Sequence, residues 1–479
     1  MVEKHANSLV NSKFYPLLLF FVSFVFVTLF SRSTSFLYVY EGFDAAIFKQ
    51  MGLAVLRGKT MYVDYFDNKG CILYFIHAVG IWIGNNFILL MMQVISLTIT
   101  LVIWDKLLGF YRCGCERFIC ISIALSLVLC FYDGGDLTEE WCLPFASYPL
   151  LVCFRSLKFG QKISSMNWFF MGFCFGVIAF IRINNACPFL GFVAFIWIRY
   201  LLNKDFKEFF KSLALFVLGI TIITGVCVIY FYLKAGWNGV YQMVYATFLS
   251  YFEYFARPIN KNIFHYVFYV MCLLSFIALL CVNAAKQKEI LIPALLSCAF
   301  FILSSGTHCF GHYLLSLIPL AILLLMTFDF KRNRWGNLAL CLFAFIPMII
   351  YLIQPIGFAV NDLVLGKEKF KTIYEDFHQC IETIPETERD SIYNYNTSGI
   401  GCGMMQHEGL LQCNRVFYSP LAFNLPTLRR IESENAKVLP KWILISWNQH
   451  YDRKDALIII NRYELHCSFI FNSILLVLR

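Results

Sequence analysis

Residues Tyr40 to Tyr74 read YEGFDAAIFKQMGLAVLRGKTMYVDYFDNKGCILY. The stretch sets Glu41, Asp44, Asp64, Asp67 and Lys69 close together in a chain of which only 14% is charged. Charged side chains near lipid are costly and tend to mark sites. Ala45, Phe48, Gly52 and Val55 recur at helical spacing, so 44–56 is expected to be a helix lying along a membrane surface. Asp44 stands at its start and Gly58 ends it. The second acidic cluster then returns beside the first, so two carboxylates can meet.

The composition around this stretch leaves one class of protein. Of 479 residues, 59% are hydrophobic and 51 are Phe, far above a soluble globular chain, so an α-helical multi-pass membrane protein is expected. The net charge of +9 would point to nucleic acid in a soluble protein. Here the basic residues sit in short loops between apolar runs, which reads as membrane topology and excludes a nucleic-acid partner. Nineteen cysteines resemble a disulfide scaffold only until they are placed: most, such as Cys120, Cys174, Cys227 and Cys298, lie inside apolar runs as small hydrophobes. Cys380, Cys402, Cys413 and Cys467 fall in a polar region, and no CxxC pair occurs, which argues against a metal–thiolate site.

The apolar run Phe14–Phe30 follows a polar start carrying Lys4 and Lys13 and lacks a small-residue cleavage site, so it reads as an uncleaved first span with a cytoplasmic amino terminus. Further spans are expected near 87–105, 118–132, 141–157, 167–181, 185–202, 212–233, 263–285, 290–306, 312–328 and 335–353, about eleven in all. Lys106, Arg112, Arg117, Arg155, Lys158, Lys162, Arg199, Lys204, Lys207, Lys211, Lys286, Lys288, Lys331, Arg332 and Arg334 all fall in loops on one side. The opposite short loops hold only Arg182, at a span end. This asymmetry places the outer loop 32–86, the loop DGGDLTEEW and the carboxy-terminal region outside. Cys71–Ile83 is too short for a span and reads as a surface helix, because counting it as a crossing would invert every later loop.

Two domains follow: a membrane domain over 1–355 and a small extracytoplasmic α/β domain over 356–479. The second rests on a charged helical pattern at 367–384, a helix at 428–436, and apolar runs at 392–395, 410–417, 442–446, 457–460 and 474–478.

Several outer residues have the chemistry of a transfer site. Asp44 is a candidate general base; it is equally a residue type that caps helices. Asp67 and Lys69, in FDNKG, offer a cation for a phosphate, or a lysine snorkelling toward headgroups. Glu139 and Glu140 begin the 141–157 span, where adjacent carboxylates can hold a divalent cation or a donor group, or simply suit the helix dipole. Arg182, in FIRINNACPF, can grip phosphate oxygens bidentately, and His312 and Tyr313, in CFGHYLLSLIP, open another span on the same side.

The run GKTMYVDYFDNKGCILYFI, of form G-x-x-x-Y-x-D-x-x-D-x-K-G and following a first span and an early outer-loop Asp, resembles the C-type glycosyltransferase (GT-C) superfamily. The branch it resembles holds the bacterial membrane glycosyltransferases similar to protein O-mannosyltransferases and the lipid A aminoarabinose transferase (PMT/ArnT-like). LTEEWCLPF and GHYLLSLIP are similar to segments of that branch, over residues 14 to about 330. The resemblance implies sugar transfer, with inversion, from a polyprenyl-phosphate donor to a glycan, lipid or protein acceptor on the outer face of a bacterial plasma membrane. It implies Asp44 as base, Lys69 beside the donor phosphate, and Glu139 or Glu140 as a second acidic site. Asp44, Glu139 and Glu140 would be the ligands of any divalent cation. Phe43-Asp44 in place of an acidic pair, and Gly70-Cys71 in place of a double Pro, depart from that pattern. A transporter or flippase of a polyprenyl-linked glycan would need charges at mid-span, and these are scarce; a membrane scaffold with an outer binding domain is the third reading.

Overall fold

The computed structural model describes residues 14–38, 42–84, 86–250, 263–284, 287–305, 310–327, 353, 356–357, 360, 367–395, 398–415, 441–446, 464–469 and 474–478. The first helix, α1 (Tyr15–Phe30), carries Pro16 in its first turn, where a missing N–H costs nothing. Then come α2 (Phe43–Leu56), α3 (Cys71–Gly84), α4 (Asn86–Leu108), α5 (Gly114–Cys130), α6 (Thr138–Phe159), α7 (Ser165–Arg182) and α8 (Cys187–Leu202). They are followed by α9 (Phe206–Val244), α10 (Ile263–Ala284), α11 (Lys288–Ser305), a 3₁₀ turn (Gly311–Leu317) and α12 (Ile318–Thr327). Among the described residues, Asn86–Leu108, Ser165–Leu202, Phe206–Leu249 and Lys288–Ser305 are long and apolar enough to cross a membrane. Tyr15–Phe30, Cys71–Gly84, Tyr269–Ala284 and Gly311–Thr327 are shorter apolar helices. The span expected at 335–353 lies almost wholly outside the described residues.

The expected bounds fit most helices within a few residues, with two differences. The run expected at 212–233 extends from Phe206 to Val244, because Gly236 (φ +60°, ψ −152°) bends the chain at a conformation open only to glycine and the helix resumes beyond it. The span expected from 312 opens as the 3₁₀ turn rather than as α-helix.

Beyond the bundle, α13 (Lys367–Glu382) and α14 (Ser398–His407) accompany a four-stranded sheet of order β1-β2-β4-β3, from β1 (Ile392–Tyr395), β2 (Trp442–Ser446), β3 (Glu464–Phe469) and β4 (Ile474–Leu478). β1 runs parallel to β2, and the β2–β4 and β4–β3 pairs are antiparallel. Ile373, Phe377, Cys380, Ile381 and Ile384 recur along α13 and just beyond it and form a separate core with Ile392, Met404, Met405, Trp442 and Leu444. Cys380 is disulfide-bonded, whereas Cys402 and Cys413 are not. β3 was not expected. Residues 410–415 do not form the expected strand, because Gln412 and Asn414 spend their amides on Asn394 instead. The helix at 428–436 and the run at 457–460 lie outside the described residues.

Helix α2 differs from the expected surface helix. It is enclosed, with Ala45, Ala46, Ile47, Phe48, Lys49, Gln50 and Met51 all buried. A Cβ added at Gly52 would stand 2.8 Å from the Ala78 nitrogen of α3, and one at Gly399 of α14 would stand 2.5 Å from the Phe43 Cα. Two close backbone approaches therefore sandwich α2 between α3 and the polar carboxy-terminal segment.

Candidate functional site

Gly42, not Asp44, occupies the N-cap of α2, and no side chain caps this end. The capping role for Asp44 is therefore not the one the structure shows. Asp44 is half-buried and, among the described residues, enters no hydrogen bond or ion pair.

Around it stand groups from three other elements. Arg182, the last residue of α7, donates from Nη1 to Glu139 Oε1 at 2.7 Å, both side chains being almost wholly buried. Its guanidinium also lies 4.2 Å from the centre of the Tyr313 ring. His312 sits 3.6 Å from Asp133, and Asp44, Asp133 and Glu139 all act on it electrostatically. Asp44, Glu139, Arg182, His312 and Tyr313 thus form one charged neighbourhood, drawn from residues far apart in sequence.

Glu140 faces elsewhere, because successive residues of a helix diverge by about 100°. Its carboxylate accepts from Tyr132 Oη at 2.8 Å, Gln93 Nε2 at 3.0 Å and the Asp136 backbone nitrogen at 2.8 Å. A cation bridging Glu139 and Glu140 would have to strip these donors, so the pair does not fit a shared metal site. Among the described residues no group of three or more His, Cys, Asp or Glu is arranged to hold a metal ion.

Beneath lies a pair that the sequence reading missed. His77 of α3 places Nε2 3.0 Å from Asp136 Oδ2, with both side chains fully buried, and its Nδ1 lies 2.8 Å from the Leu73 carbonyl. Trp141 Nε1 donates to Asp136 Oδ1 at 2.9 Å. The turn Asp133-Gly134-Gly135-Asp136 reaches this geometry through four consecutive positive φ angles, 44°, 89°, 76° and 61°. Two are at aspartates, each costing on the order of 1 kcal/mol. The available signals were a His inside the apolar run CILYFIHAVG and an Asp-bounded glycine pair.

The FDNKG loop forms the second half of the site. Gly70 donates its N–H to the Ile181 carbonyl at 3.0 Å, and a Cβ there would lie 2.1 Å from the Phe180 backbone. Only glycine lets the loop lie against the end of α7, one residue from Arg182. Lys69 is half-buried and donates to Asn68 Oδ1 at 3.0 Å. Asp67 is buried, accepting from Tyr74 Oη at 2.7 Å and from the Asn68 nitrogen at 2.8 Å. Tyr62, fully buried with φ 66°, donates from Oη to the Lys69 carbonyl at 2.7 Å. Its ring contacts Tyr74 and Phe231.

The carboxy-terminal segment closes over this loop. Gln50 Nε2 donates to the Cys402 and Leu410 carbonyls, Tyr65 Oη to the Gln412 carbonyl, and the Phe66 nitrogen to the Arg415 carbonyl, at 2.7–3.1 Å. Arg57 bonds the Gly409 carbonyl.

A helical bundle with an enclosed loop helix and a small α/β unit over it has a counterpart of the same fold among solved membrane-protein structures. Among solved structures, the crystal structure of ArnT from Cupriavidus metallidurans bound to undecaprenyl phosphate matches at TM-score 0.60 and 13% identity, over 97% of this chain and 98% of that one. An Archaeoglobus fulgidus oligosaccharyltransferase tethered to an acceptor peptide matches at TM-score 0.47 and 11% identity, over 91% and 70%. No protein-family model and no curated protein sequence matches the chain.

Proposed function

We propose that this protein is a glycosyltransferase that moves a hexosyl or pentosyl group from a polyprenyl-phosphate donor to a hydroxyl acceptor on the extracytoplasmic face of a bacterial plasma membrane. The single observation that carries the reading is Asp44: a half-buried carboxylate with no bonding partner among the described residues, beside cations that are otherwise engaged. Its fold neighbour ArnT is described with undecaprenyl phosphate bound, which supports a donor of that class.

In this reaction the acceptor oxygen attacks the anomeric carbon while Asp44 takes its proton. The bond to the phosphate oxygen breaks and the polyprenyl phosphate leaves with the electron pair, so the configuration inverts. The leaving group is already an anion and needs no strong general acid. Lys69 and Arg182 neutralise it, with Glu139 and Tyr313 fixing the guanidinium and His312 completing the charged rim. Asp67 holds the Lys69 loop through Tyr74 rather than meeting substrate. About eleven spans carry residues 1–355, with the amino terminus cytoplasmic and residues 356–479 outside as the acceptor-facing domain.

The test is product analysis after incubating membranes that contain the protein with labelled polyprenyl-phosphate sugars. Label should move to a new acceptor with release of polyprenyl phosphate. Label that crosses the bilayer still attached to its lipid would make the protein a transporter instead.

A further inference from the structure

Among the described residues of the carboxy-terminal segment, Arg415 reaches both the FDNKG loop and the bent half of α9. Its Nη2 donates to the Tyr62 carbonyl and, at 3.2 Å, to Gln242 Oε1 beyond Gly236. Its own carbonyl receives the Phe66 N–H at 2.7 Å. The segment behind it is fixed, since Cys413 donates its N–H to the Ile392 carbonyl of β1 at 2.9 Å and Asn414 Nδ2 donates to the Asn394 carbonyl at 3.2 Å. The guanidinium is therefore held in place through Tyr62, the same residue that binds the Lys69 carbonyl.

All its bonds go to neutral oxygens. No carboxylate pairs with it among the described residues; Asp64 acts on it electrostatically only, and Asp64 Oδ2 is taken by the Thr60 N–H at 2.6 Å. The Arg415 Nε is buried and has no hydrogen-bond partner. Burial also presses its pKa below the ordinary value, with the Asp64 charge opposing. Drawing part of a guanidinium out of water without giving it an anion carries a cost. Arg182 differs in having a carboxylate beside it, Glu139 at 2.7 Å.

We propose that Arg415 is an anion-binding residue whose guanidinium receives a phosphate group at the mouth of the FDNKG loop, making it a second cation alongside Lys69. Guanidinium is suited to this, since its planar fork matches phosphate oxygens two at a time. The phosphate comes either from the lipid-linked donor or from a phosphorylated acceptor; naming those sources rests on the function proposed above, whereas the anion site does not. Because binding needs no turnover, absence of sugar transfer would remove the transferase reading and leave this one standing.

The experiment is titration of the detergent-solubilised full chain and its Arg415→Gln variant with farnesyl phosphate and with inorganic phosphate. A loss of farnesyl phosphate affinity of about tenfold or more in the variant, as for removal of a charge-assisted bond, identifies the lipid phosphate as the source. Unchanged farnesyl phosphate binding with a similar loss for inorganic phosphate identifies a phosphorylated acceptor. Equal binding of both probes to both proteins overturns the proposal and leaves Arg415 as a structural bridge. Should the variant fail to fold, the unaltered chain decides: farnesyl phosphate or inorganic phosphate slows modification of Arg415 by phenylglyoxal if the site exists, and leaves the rate unchanged if it does not.

Discussion

The two ends of the bundle each gather a carboxylate, a tyrosine and an arginine, and they treat the carboxylate in opposite ways. At the basic end, Asp105 accepts from Tyr15 Oη at 3.3 Å and from Arg117 Nε at 2.9 Å, and Arg112 Nη2 donates to the Leu325 carbonyl near the end of α12 at 3.0 Å. Asp105 is saturated, and such a group stabilises without reacting. At the other end, Asp44 lies among Glu139, Arg182, His312 and Tyr313 yet bonds to none of them. That contrast, a carboxylate bonded by its neighbours against one that is not, is what the proposed role of Asp44 as a base requires.

Substitution can break or sharpen that contrast. Asp44→Asn should lower transfer about 10²- to 10⁴-fold, the usual worth of a general base, while thermal unfolding is unchanged because no bond is lost. A parallel fall in stability would mean that Asp44 is structural after all. Glu139→Gln removes the buried counter-charge of Arg182 and should cost about 3–5 kcal/mol in denaturant unfolding, with activity lost as well. Asp105→Asn should show the reverse of Asp44→Asn, with about 1–3 kcal/mol lost from stability and transfer per folded molecule unchanged. Smallest of all, Lys162→Ala should leave both assays unmoved, because its bond to Glu208 at 2.6 Å is made by an exposed ammonium.

Much of the fold was legible because apolar runs and glycines are local signals. Gly58, with φ 80°, ends α2 where the sequence places its stop, and the helix at 367–384 keeps its apolar stripe in the structure. Asp44, Lys69, Arg182 and His312 were legible as scarce charges near span ends. What escaped depends on contacts made across the chain. The helix at 43–56 reads as a surface helix because nothing local announces that Gly399 will pack on Phe43. Glu139 and Glu140 read as a pair because adjacency in sequence hides their divergence on a helix. His77–Asp136 and Arg415–Tyr62 join residues 59 and 353 positions apart, beyond any periodicity. The strand 464–469 was the avoidable omission: Leu465, Cys467 and Phe469 alternate with polar residues, which is a strand signal.

Native thiols offer the most direct measurement of whether one side of a membrane holds the whole site. Cys413 lies in the segment that closes over the FDNKG loop, and Cys113 lies beyond the far end of α4; both are exposed and outside any disulfide. In intact cells, a membrane-impermeant maleimide should label Cys413, and a cysteine placed at Asp44, while leaving Cys113 unmodified until the membrane is opened. Labelling of Cys113 from outside with Cys413 protected would place Asp44 and its neighbours in the cytoplasm, and no lipid-linked donor on the outer face could reach them.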